Sequence, residues 1–571
     1  MTRPSDFQGQ PTNAADFIAE SLVLAGVRHV FGVGGANIED FFAAVQRRRP
    51  DIRMVLSKHE HAAGTAADAY ARLTGGLGVV CVTSGGGAMN LVHALAEARA
   101  SRVPLLAVVG EPPTELQGLG AFQDTSGRCG GVDAAAVFAA VSVWCTRVEN
   151  VDDVPRLLAE ALSFALGPTP GPAVLLLAKD RQRAELSTRP ASLSGELAHA
   201  GAVDSARVRQ ACSLLHPGPI VILAGAGVAR AAAQPELAAI ADALDAQVAV
   251  APDARDAFNN HSTRFLGVCG AMGSKAAMRA IDGARACLVV GTRLPLLTRQ
   301  GCEATLAAGP LISVGPEPLF LKARDGLHLE GDLLRTLRAL SDELHASEAR
   351  CAPASREPPV SAPGDRLLDS QRALLQIEQA LPKDGVVLMD AGNTGAASAH
   401  ALRIPVGCRW LLAMGMAGMG YSFGAAIGAA FASGKRCFVL AGDGAFLMNG
   451  LDVHTAVEHQ LPITYLIFDN AAHGMCLVRE RLLLRENAGY NAFRRSHFGA
   501  GLSAMFPGLA ACDCRTEREL ADALARAALL TGPALISIEL DSVEIPPFSA
   551  FQQATPDGVT TVSRGHDDAA D

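Results

Sequence analysis

The chain has 571 residues, a length that predicts three or four domains, each large enough to bury its own core. Its net charge of −9 is dispersed, without a run of five like charges, which argues against a nucleic-acid or membrane-surface partner. No apolar stretch reaches membrane-spanning length and the polar N-terminus lacks a signal-peptide core, so we expect a cytoplasmic protein with reduced cysteines.

Strands and helices alternate along most of the chain, which predicts an α/β fold of three doubly wound parallel-sheet domains. Stretches rich in Pro, Ser and Ala separate the three blocks. We expect a disordered N-terminus at 1–12, blocks at 13–185, 200–345 and 365–541, and a C-terminal tail at 542–571. The sequence leaves open whether this tail is a flexible lid or disordered.

The first block contains predicted strands, and one of them leads into a candidate catalytic glutamate. These strands cover 28–31, 52–56, 77–82, 103–109 and 173–177, and a helix is predicted to start at Met89, after the third strand. Glu60 follows the second strand and opens an Ala-rich helix, where its charge favours the helix N-terminus. The simplest interpretation is therefore a first-turn glutamate that stabilises the helix. His59 and His61 flank it without a third ligand at metal spacing, so we interpret them as packing or polar neighbours.

The central block carries Gly225-Ala226-Gly227 after a predicted strand at 219–223. This is only the first half of a dinucleotide-binding motif, because Arg230 replaces its third glycine. A structural turn is therefore favoured over an NAD site. In the third block, Cys512 and Cys514 lack a second cluster at zinc spacing, and we interpret them as strand and loop residues.

The third block carries the pattern with the strongest chemical meaning. Gly442-Asp443-Gly444 follows a predicted strand at 437–441, and Asn470 follows the next predicted strand, 27 residues after Asp443. A helix predicted at 450–459 completes a β-α-β unit, which places Asp443 and Asn470 beyond the carboxyl ends of neighbouring strands. The alternative is an ordinary Asp N-cap and an Asn turn.

Oxygen atoms in these loops suit a hard cation beside a phosphate. The Asp443 carboxylate, the Asn470 amide oxygen and the Ala472 carbonyl could converge on Mg²⁺, which prefers oxygen ligands and takes several of them from bound phosphates. Gly442 and Gly444 would let the backbone approach those phosphates closely.

This spacing of GDG and Asn resembles the thiamine diphosphate (ThDP) and magnesium motif of the ThDP-dependent decarboxylases and carboligases. The three-block layout resembles acetolactate synthase and its relatives. The resemblance implies pyrimidine, central and diphosphate domains, ThDP and Mg²⁺ as cofactors, and a 2-oxo acid donor with a carbonyl acceptor as substrates. It also implies a homodimer or homotetramer in which Glu60 of one subunit and Asp443 and Asn470 of another complete the active site.

Two further stretches resemble cofactor-binding loops of this family. Residues 390–394 resemble the loop that binds the diphosphate, and residues 415–420 resemble the glycine-rich loop under the aminopyrimidine. By this resemblance Met419 would bend ThDP and the Ala417 carbonyl would accept its 4′-amino group, although Met419 alone could be a core side chain. The predicted metal ligands are Asp443, Asn470 and Ala472, and the predicted cofactor residues are Gly392, Asn393, Thr394, Ala417, Met419, Gly442, Asp443, Gly444, Ala445, Asn470, His473, Gly474 and Met475.

By the same resemblance Glu60 would exchange a proton with N1′ of the aminopyrimidine. Phe122 and Gln123 resemble the family's Phe-Gln pair, in which Gln123 would donate a hydrogen bond to a developing oxyanion and Phe122 would line the substrate pocket. Simple ThDP decarboxylases carry a His-His pair that protonates the reacting carbon. No His-His dipeptide occurs in this chain, which favours carboligation. The predicted substrate residues are Gly34, Phe122, Gln123, Met475 and Arg479.

Two departures from the family pattern matter. Arg479 stands where the synthases carry a tryptophan four residues after Met475, which predicts a different, anionic acceptor unless Arg479 simply pairs with a nearby Glu on its helix. Residues 291–296 lack the acidic pair of the flavin-bearing synthases, so we predict no FAD. The rival functions are a non-ligating decarboxylase, a pyruvate-oxidase-like enzyme that would need flavin, and a non-catalytic ThDP-binding scaffold subunit, against which the intact Glu60, Asp443 and Asn470 argue.

Overall fold

A computed structural model of the protein describes residues 12–186, 188, 203–216, 218–345, 364–485, 489–542, 544–549 and 551. They form two compact units. The first holds the described residues of Met1–His199 together with Ala413–Gly434 and Leu451–Glu458, and the second holds those of Ala200–Leu412, Lys435–Gly450 and His459–Asp571. Apart from Thr12, the predicted disordered N-terminus lies outside the described residues, as does most of the predicted C-terminal tail.

The first block forms a six-stranded parallel sheet with helices between its strands. Its elements are β1 (Thr12–Asn13), α1 (Ala14–Leu24), β2 (His29–Gly32), α2 (Glu39–Arg47), β3 (Arg53–Leu56), α3 (Glu60–Thr74), β4 (Gly78–Val82), α4 (Gly86–Ala100), β5 (Leu105–Glu111), α5 (Ala134–Val141), β6 (Trp144–Arg147), α6 (Val154–Ala165), β7 (Pro172–Ala178), α7 (Lys179–Arg183) and β8 (Glu185–Leu186). The sheet order is β3-β2-β4-β5-β7-β6, and β1 pairs with β8 in a separate antiparallel ladder.

The central block forms a second parallel sheet. Its elements are α8 (Ser205–Leu215), β9 (Ile220–Ala224), α9 (Gly227–Arg230), α10 (Gln234–Ala243), β10 (Gln247–Val250), β11 (Phe265–Val268), α11 (Lys275–Gly283), β12 (Ala286–Val290), α12 (Leu296–Arg299), α13 (Glu303–Ala308), β13 (Pro310–Gly315), β14 (Asp325–Glu330) and α14 (Leu333–His345), and the sheet order is β11-β10-β9-β12-β13-β14. Ile220 and Ile222 of β9 join one apolar cluster and Val221 and Leu223 another, so both faces of this sheet are covered.

The third block forms the third parallel sheet. Its elements are α15 (Ser370–Ala380), β15 (Val386–Met389), α16 (Asn393–Ala401), β16 (Arg409–Leu412), α17 (Tyr421–Ser433), β17 (Cys437–Gly442), α18 (Asp443–Asn449), α19 (Val453–Glu458), β18 (Ile463–Asp469), α20 (Gly474–Arg479), α21 (Phe498–Met505), β19 (Ala510–Cys514), α22 (Glu517–Ala528) and β20 (Ala534–Glu539), and the sheet order is β16-β15-β17-β18-β20-β19. All its strand pairs are parallel. The predicted α/β fold of three doubly wound sheets is confirmed.

The first and third sheets share one topology. Numbered within each sheet, both have the order 2-1-3-4-6-5, whereas the central sheet has the order 3-2-1-4-5-6. Each sheet has a reversal of strand order beside its first strand, and open α/β sheets bind ligands in the crevice that such a reversal creates. The reversal lies between β2 and β4 in the first sheet, β9 and β12 in the central sheet, and β15 and β17 in the third.

Two predicted helix boundaries were wrong. The helix expected at 450–459 is preceded by α18, which begins at Asp443 directly after β17, and a 3-10 turn at Gly450–Asp452 separates α18 from α19. Helix α4 begins at Gly86, where the sequence predicted a start at Met89. Both errors concern glycine-rich helix starts, which helix propensity disfavours and which tertiary packing stabilises here.

The structure also bears on the membrane-spanning segments and the cysteines considered in the sequence analysis. None of the described helices is both long and apolar enough to cross a membrane. The cysteines within the described residues are free thiols, most of them buried or half-buried.

Candidate active site

The predicted cation and phosphate loops lie at one edge of the third sheet. The order reverses between β15 and β17, whose carboxyl ends continue into residues 390–394 and into Asp443. Strand β18 pairs with β17 in parallel and ends at Asp469, immediately before Asn470. Parallel strands bring all three loops to the same edge.

Close side-chain approaches show that the three loops meet. A Cβ placed on Gly474 would lie 2.6 Å from Nδ2 of Asn470 and 2.8 Å from Nδ2 of Asn393. A Cβ on Gly442 would lie 3.8 Å from Oγ1 of Thr394. Residues after β15, β17 and β18 therefore form one cluster.

The N-terminus of α16 points into this cluster without a side-chain cap. Its N-cap is Gly392, with φ 114° and ψ −163°, a conformation that essentially only glycine adopts. The helix then begins at Asn393, and Thr394 is its second residue. Uncapped N–H groups at a helix N-terminus, together with the helix dipole, favour a phosphate or another anion.

Asp443 is a buried carboxylate with one oxygen in use and one without a partner. The residue is 1% exposed, and its Oδ1 accepts a hydrogen bond of 2.8 Å from the Gly444 N–H. Its Oδ2 has no hydrogen-bond partner among the described residues. Burial, and then the neighbouring Asp469 carboxylate, raise the pKa of Asp443 to about 7. A bound cation would favour the ionised form of Asp443 and would therefore lower this pKa.

Three of the cluster's buried polar atoms lack a hydrogen-bond partner among the described residues: Oδ1 of Asn393, Oδ2 of Asp443 and Nδ1 of His473. Buried polar atoms in proteins are nearly always paired, so their convergence fits a polar ligand. No group of three or more His, Cys, Asp or Glu side chains within the described ranges could hold a metal ion. A cation here would therefore depend on amide, carbonyl and phosphate oxygens beside Asp443, which suits Mg²⁺.

The loop after β18 is held in an unusual conformation. Ala471 has φ 53°, and the Asn470 side chain accepts a 3.2 Å hydrogen bond from the Ala472 N–H. The His473 N–H donates to the Asn491 carbonyl at 2.9 Å. The Asn470 side chain in this bend lies on the same side of Gly474 as the Asn393 side chain.

Sequence reasoning missed two residues that support the cluster. Asp469 lies beside Asp443, and Arg495 contacts it, with 3.3 Å between Arg495 Nη1 and Asp469 Oδ2. Arg495 also donates to the carbonyl oxygens of Asp469 and Leu540. The position of Asp469 directly before Asn470 could have drawn attention to it, whereas nothing in the sequence relates Arg495 to it.

The predicted substrate residues of this block lie on α20. Met475 is half-buried in its first turn, and Arg479 is the exposed last residue. The adjacent Glu480 is buried and accepts hydrogen bonds from the Gly489 N–H and the Asn491 side chain, so this carboxylate is engaged elsewhere. A pairing of Arg479 with Glu480, one form of the alternative interpretation, therefore finds no support.

Glu60 lies at the strand reversal of the first sheet. It is the first residue of α3 and is 8% exposed. Its Oε2 accepts a 2.9 Å hydrogen bond from Nδ2 of Asn90, and a Cβ on Gly87 would lie 2.9 Å from its Oε1. Glu60 thus faces the start of α4, directly after β4. Asn90 is a functional neighbour that the sequence analysis did not identify.

Gln123 approaches the same loop from another direction. A Cβ on Gly85 would lie 2.7 Å from Cβ of Gln123, and Gln123 itself has φ 59°. Such left-handed backbone at a non-glycine residue costs about 1–3 kcal/mol and is common at functional sites. Phe122 is 80% exposed, and Gly34 is exposed on the loop after β2. Glu60 and Gln123 therefore both lie against residues that follow β4, and Gly34 follows the neighbouring strand β2.

Histidines surround Glu60 in space, although the chain has no His-His dipeptide. The Nδ1 atom of His59 accepts a hydrogen bond of 3.1 Å from the His61 N–H, which caps α3. The His61 ring stacks on His93 with 4.6 Å between centroids. Burial, and then His93 and His59, lower the pKa of His61 to about 3, so it carries no proton to donate as an imidazolium at neutral pH.

The structure thus gathers the predicted residues into two groups. Asn393, Thr394, Gly442, Asp443 and the loop after β18 form one, in the second unit. Glu60 and Gln123 form the other in the first unit, which also contains Gly34 and the predicted aminopyrimidine loop with Ala417 and Met419.

Comparison with known proteins shows the family of the chain. Sequence models of the thiamine pyrophosphate enzymes match in chain order: the N-terminal TPP binding domain at residues 12–128, the central domain at 214–340 and the C-terminal TPP binding domain at 390–538. Together they cover more than half of the chain. It belongs to the thiamine pyrophosphate enzyme family.

Curated relatives in this family are similar over nearly the full length. The probable acetolactate synthase large subunit of Methanocaldococcus jannaschii is 27% identical over 93% of each chain. The large subunits of acetolactate synthase isozymes 1 and 2 of Escherichia coli K12 are 27% and 28% identical, over 94% and 83% of this chain and 96% and 86% of their own. The chain is therefore an acetolactate synthase-like member of the family.

Proposed function

We propose that this protein is a ThDP- and Mg²⁺-dependent carboligase that decarboxylates a 2-oxo acid, most simply pyruvate, and transfers the acyl unit to an acceptor carbonyl. The observation that carries the proposal is the cluster at the edge of the third sheet. Loops from three strands meet there, and Asn393, Asp443 and His473 each contribute a buried polar atom that lacks a partner among the described residues. The names of the relatives agree with this reaction class.

When bound, ThDP supplies an acidic C–H bond and an electron-accepting ring, the chemistry that lets a 2-oxo acid lose carbon dioxide. The residues that would hold its diphosphate are Gly392, Asn393 and Thr394 at the start of α16, with His473 and Gly474 opposite. Asp443, Asn470 and the Ala472 carbonyl would hold Mg²⁺. These groups bind and orient the cofactor, and they take no part in proton transfer.

Glu60 would hold the proton at N1′ of the pyrimidine ring. Its Oε2 is fixed by Asn90, and its Oε1 is directed at Gly87, which leaves that oxygen beside a surface without a side chain. Gln123 would donate a hydrogen bond to the developing oxyanion, and Phe122 would shape the substrate pocket. The uncharged His61 provides no acid that would release the product as a free aldehyde, which favours transfer to a second carbonyl.

We further propose that Arg479 and Met475 on α20 select the acceptor. The exposed guanidinium of Arg479 suits a carboxylate or phosphate on that acceptor. Replacing Arg479 with Trp, the residue typical of the synthases, should change the order of preferred acceptors. An unchanged order of acceptors in an Arg479→Trp variant would refute the role of Arg479.

The proposed assembly is a homodimer or homotetramer, with Glu60 of one subunit serving the Asp443 group of another. Large apolar side chains near both groups are exposed, including Phe122 at 80% and Leu447 and Met448 at 55% and 54%. Exposed apolar side chains mark interaction sites when they form a contiguous patch. Light scattering of the purified protein with ThDP and Mg²⁺ would measure the assembly directly, and a monomer that turns over substrate would contradict it.

The decisive experiment is product analysis with the full chain. The purified protein receives ThDP, Mg²⁺ and ¹³C-labelled pyruvate, alone and with a panel of aldehydes and 2-oxo acids, and products are identified by mass spectrometry. We expect a labelled two-carbon unit joined to one acceptor. Carbon dioxide with free acetaldehyde would replace the proposal with a simple decarboxylase, and ThDP binding without turnover would favour a scaffold role.

Two variants, together with an absorbance measurement for bound flavin, complete this test. Glu60→Gln should lower turnover by roughly 100-fold or more, in the range of a lost general acid–base group, while ThDP still binds. Glu160→Gln is the matched control, because Glu160 pairs with Arg156 on α6 and lies outside both groups. Denatured protein should release no flavin; a yellow protein that releases FAD would contradict that expectation and direct attention to an oxidase reaction.

A further inference from the structure

One face of α4 contacts both Glu60 and the predicted aminopyrimidine loop. Asn90, His93 and Glu97 stand at positions i, i+3 and i+7, which share a helix face. Asn90 donates its hydrogen bond to Glu60, and His93 lies against residue 418, since a Cβ on Gly418 would lie 2.0 Å from Nε2 of its ring. Glu97 makes the most extensive contacts of the three.

The Glu97 carboxylate accepts hydrogen bonds from three successive backbone N–H groups. Oε1 accepts from the Gly415 N–H at 3.1 Å, and Oε2 accepts from the N–H groups of Met416 at 2.5 Å and Ala417 at 3.3 Å. Consecutive N–H groups that converge in this way form an anion-binding nest. Here a side chain of the protein itself fills the nest, and Glu97 is only 3% exposed.

A buried ion network fixes Glu97 in turn. Ser101 Oγ donates to its Oε1 at 2.6 Å, and Arg72 Nη2 lies 3.4 Å from the same oxygen. Arg72 also pairs with Asp68 at 2.6 Å, and the Tyr421 hydroxyl donates to Asp68 at 2.5 Å. Burial alone would raise the pKa of Glu97, but the Arg72 charge and the hydrogen bonds from Ser101, Met416 and Gly415 outweigh it and lower the pKa.

The loop that Glu97 holds has a conformation that needs support. Ala417 has φ 52°, in the left-handed region that costs a non-glycine residue roughly 1 kcal/mol or more. Tyr421 begins α17 directly after the loop and belongs to the same network. Contacts from α4 before Ala417 and from Asp68 after it therefore constrain the loop at both ends.

We propose that Glu97 is a positioning residue that sets the backbone of residues 415–417, and thereby orients the Ala417 carbonyl and the Met419 side chain for the pyrimidine ring of ThDP. This inference rests on the proposed function for the identity of the ligand. The conformational part stands on the hydrogen bonds alone. Glu97 touches no reacting atom, so its effect reaches the chemistry only through the loop.

The first test is hydrogen exchange of the cofactor-free full chain. Glu97→Gln keeps the size of the side chain but replaces one acceptor oxygen with an NH₂ group that cannot accept from the loop. We expect the amides of Met416 and Ala417 to exchange at least 10-fold faster in the variant, while amides of β4 and β5 are unchanged. Equal exchange at 416 and 417 in both proteins would overturn the proposal.

The second test separates positioning from simple destabilisation. Titration calorimetry should show ThDP binding to Glu97→Gln about 10- to 100-fold more weakly, the factor expected from losing hydrogen bonds to a charged group. The KM for the 2-oxo acid at saturating ThDP should change less than 3-fold. Unchanged ThDP affinity with a lowered melting temperature would assign Glu97 a purely structural role and refute the proposal.

Controls keep the outcomes distinguishable. Glu160→Gln, on the surface of α6, should behave as wild type in both tests. If Glu97→Gln fails to fold, Ser101→Ala removes only one of the groups that orient Glu97, and it should give a smaller change of the same sign, about 3-fold. A wild-type protein that binds no ThDP would refute the proposed function, whereas the exchange experiment would still decide whether Glu97 holds the loop.

Discussion

The strand reversals of the central and third sheets offer the same crevice and fill it differently. In the central sheet, the loops after β9 and β12 pack directly on each other: the Gly227 N–H donates to the Gly291 carbonyl at 3.0 Å, and a Cβ on Gly225 would lie 2.6 Å from that same oxygen. In the third sheet, the corresponding loops leave Asn393 and Asp443 with buried polar atoms that have no partner among the described residues.

The difference shows that topology supplies a crevice but does not supply a ligand site. Glycines serve opposite purposes in the two crevices. Gly225 and Gly227 let backbone approach backbone, which closes the central crevice and supports the structural-turn interpretation over an NAD site. Gly474, in contrast, leaves space into which the Asn393 and Asn470 amides project. Whether a crevice binds a cofactor is therefore decided by the loops.

The largest expected effect comes from removing the carboxylate of the third crevice. Asp443→Asn should weaken activation by Mg²⁺ by roughly 100-fold or more, because even the loss of a residue that only supports a metal ligand costs 10- to 100-fold. The measurement is turnover against Mg²⁺ concentration at saturating ThDP. Asp384→Asn, at an exposed carboxylate that pairs with Lys435, should titrate like wild type. Normal Mg²⁺ activation of Asp443→Asn would remove Asp443 from the metal site.

Filling the space at Gly474 should have the next largest effect. In Gly474→Ala, the new methyl group would displace the Asn470 and Asn393 amides, which lie 2.6 and 2.8 Å from it. We expect the ThDP concentration for half-saturation to rise about 10-fold, equivalent to about 1.4 kcal/mol. Gly501→Ala is the control, since an added Cβ there meets no atom within 4 Å. If both variants bind ThDP equally well, the third crevice is not the cofactor site.

A substitution in the central crevice should lower the thermal stability of the protein without changing its affinity for ThDP. Gly225→Ala would place a Cβ 2.3 Å from Cβ of Thr292, and overpacking of this kind costs about 1–3 kcal/mol. We expect the melting temperature to fall by several degrees, with ThDP half-saturation unchanged within 2-fold. Stabilisation of the wild type by NAD, lost in this variant, would reverse the interpretation of the central crevice.

The smallest expected effect concerns a buried atom of the first sheet's domain, outside the central and third crevices. His61 Nδ1 is buried without a hydrogen-bond partner among the described residues, and the His61 ring stacks on that of His93. The pKa of about 3 in the folded protein lies below the value of 6.5 expected when unfolded, so the unfolded chain gains the proton first and stability is lost as pH falls from 6.5 towards 3. At pH 5 this amounts to about 1–2 kcal/mol.

Removing the imidazole should therefore lessen the sensitivity to acid. We expect the melting temperature of His61→Asn to fall less between pH 7 and pH 5 than that of the wild type. His216→Asn, at an exposed histidine, provides the reference. Parallel pH curves for all three proteins would show that His61 does not titrate as its burial indicates.

Much of the fold could be predicted from the sequence because buried parallel strands are continuous apolar runs. Residues 77–82 and 437–441 read directly as strands, and both are buried in the structure. Strand β6 was missed because its four residues are all half-buried and include Arg147. The starts of α4 and α18 were missed because glycines, which propensity assigns to loops, lie at or next to their first residues.

For the candidate site, some residues could be predicted from the sequence and their hydrogen-bond partners could not. Asp443 and Asn470 could be identified because a β-α-β unit fixes their separation. The partners of the predicted residues could not, since the hydrogen bond from Asn90 to Glu60 spans 30 residues and that from Met416 to Glu97 spans 319. No local pattern encodes contacts between such distant segments. Family resemblance did not include them either, so Asn90, Glu97 and Asp469 emerged only from the structure.

The packing of α3 on α17 has a consequence for synthesis of the chain. Gly424 and Gly428 of α17 lie directly on Ala62 and Ala66 of α3, and the Tyr421 hydroxyl reaches the buried Asp68. About 360 residues separate the ends of the two helices, so at ordinary translation rates the ribosome needs roughly 20 to 70 seconds to deliver α17 after α3. During that interval the small-residue face of α3 is not covered by α17, so the first unit completes its packing only after most of the chain has been made.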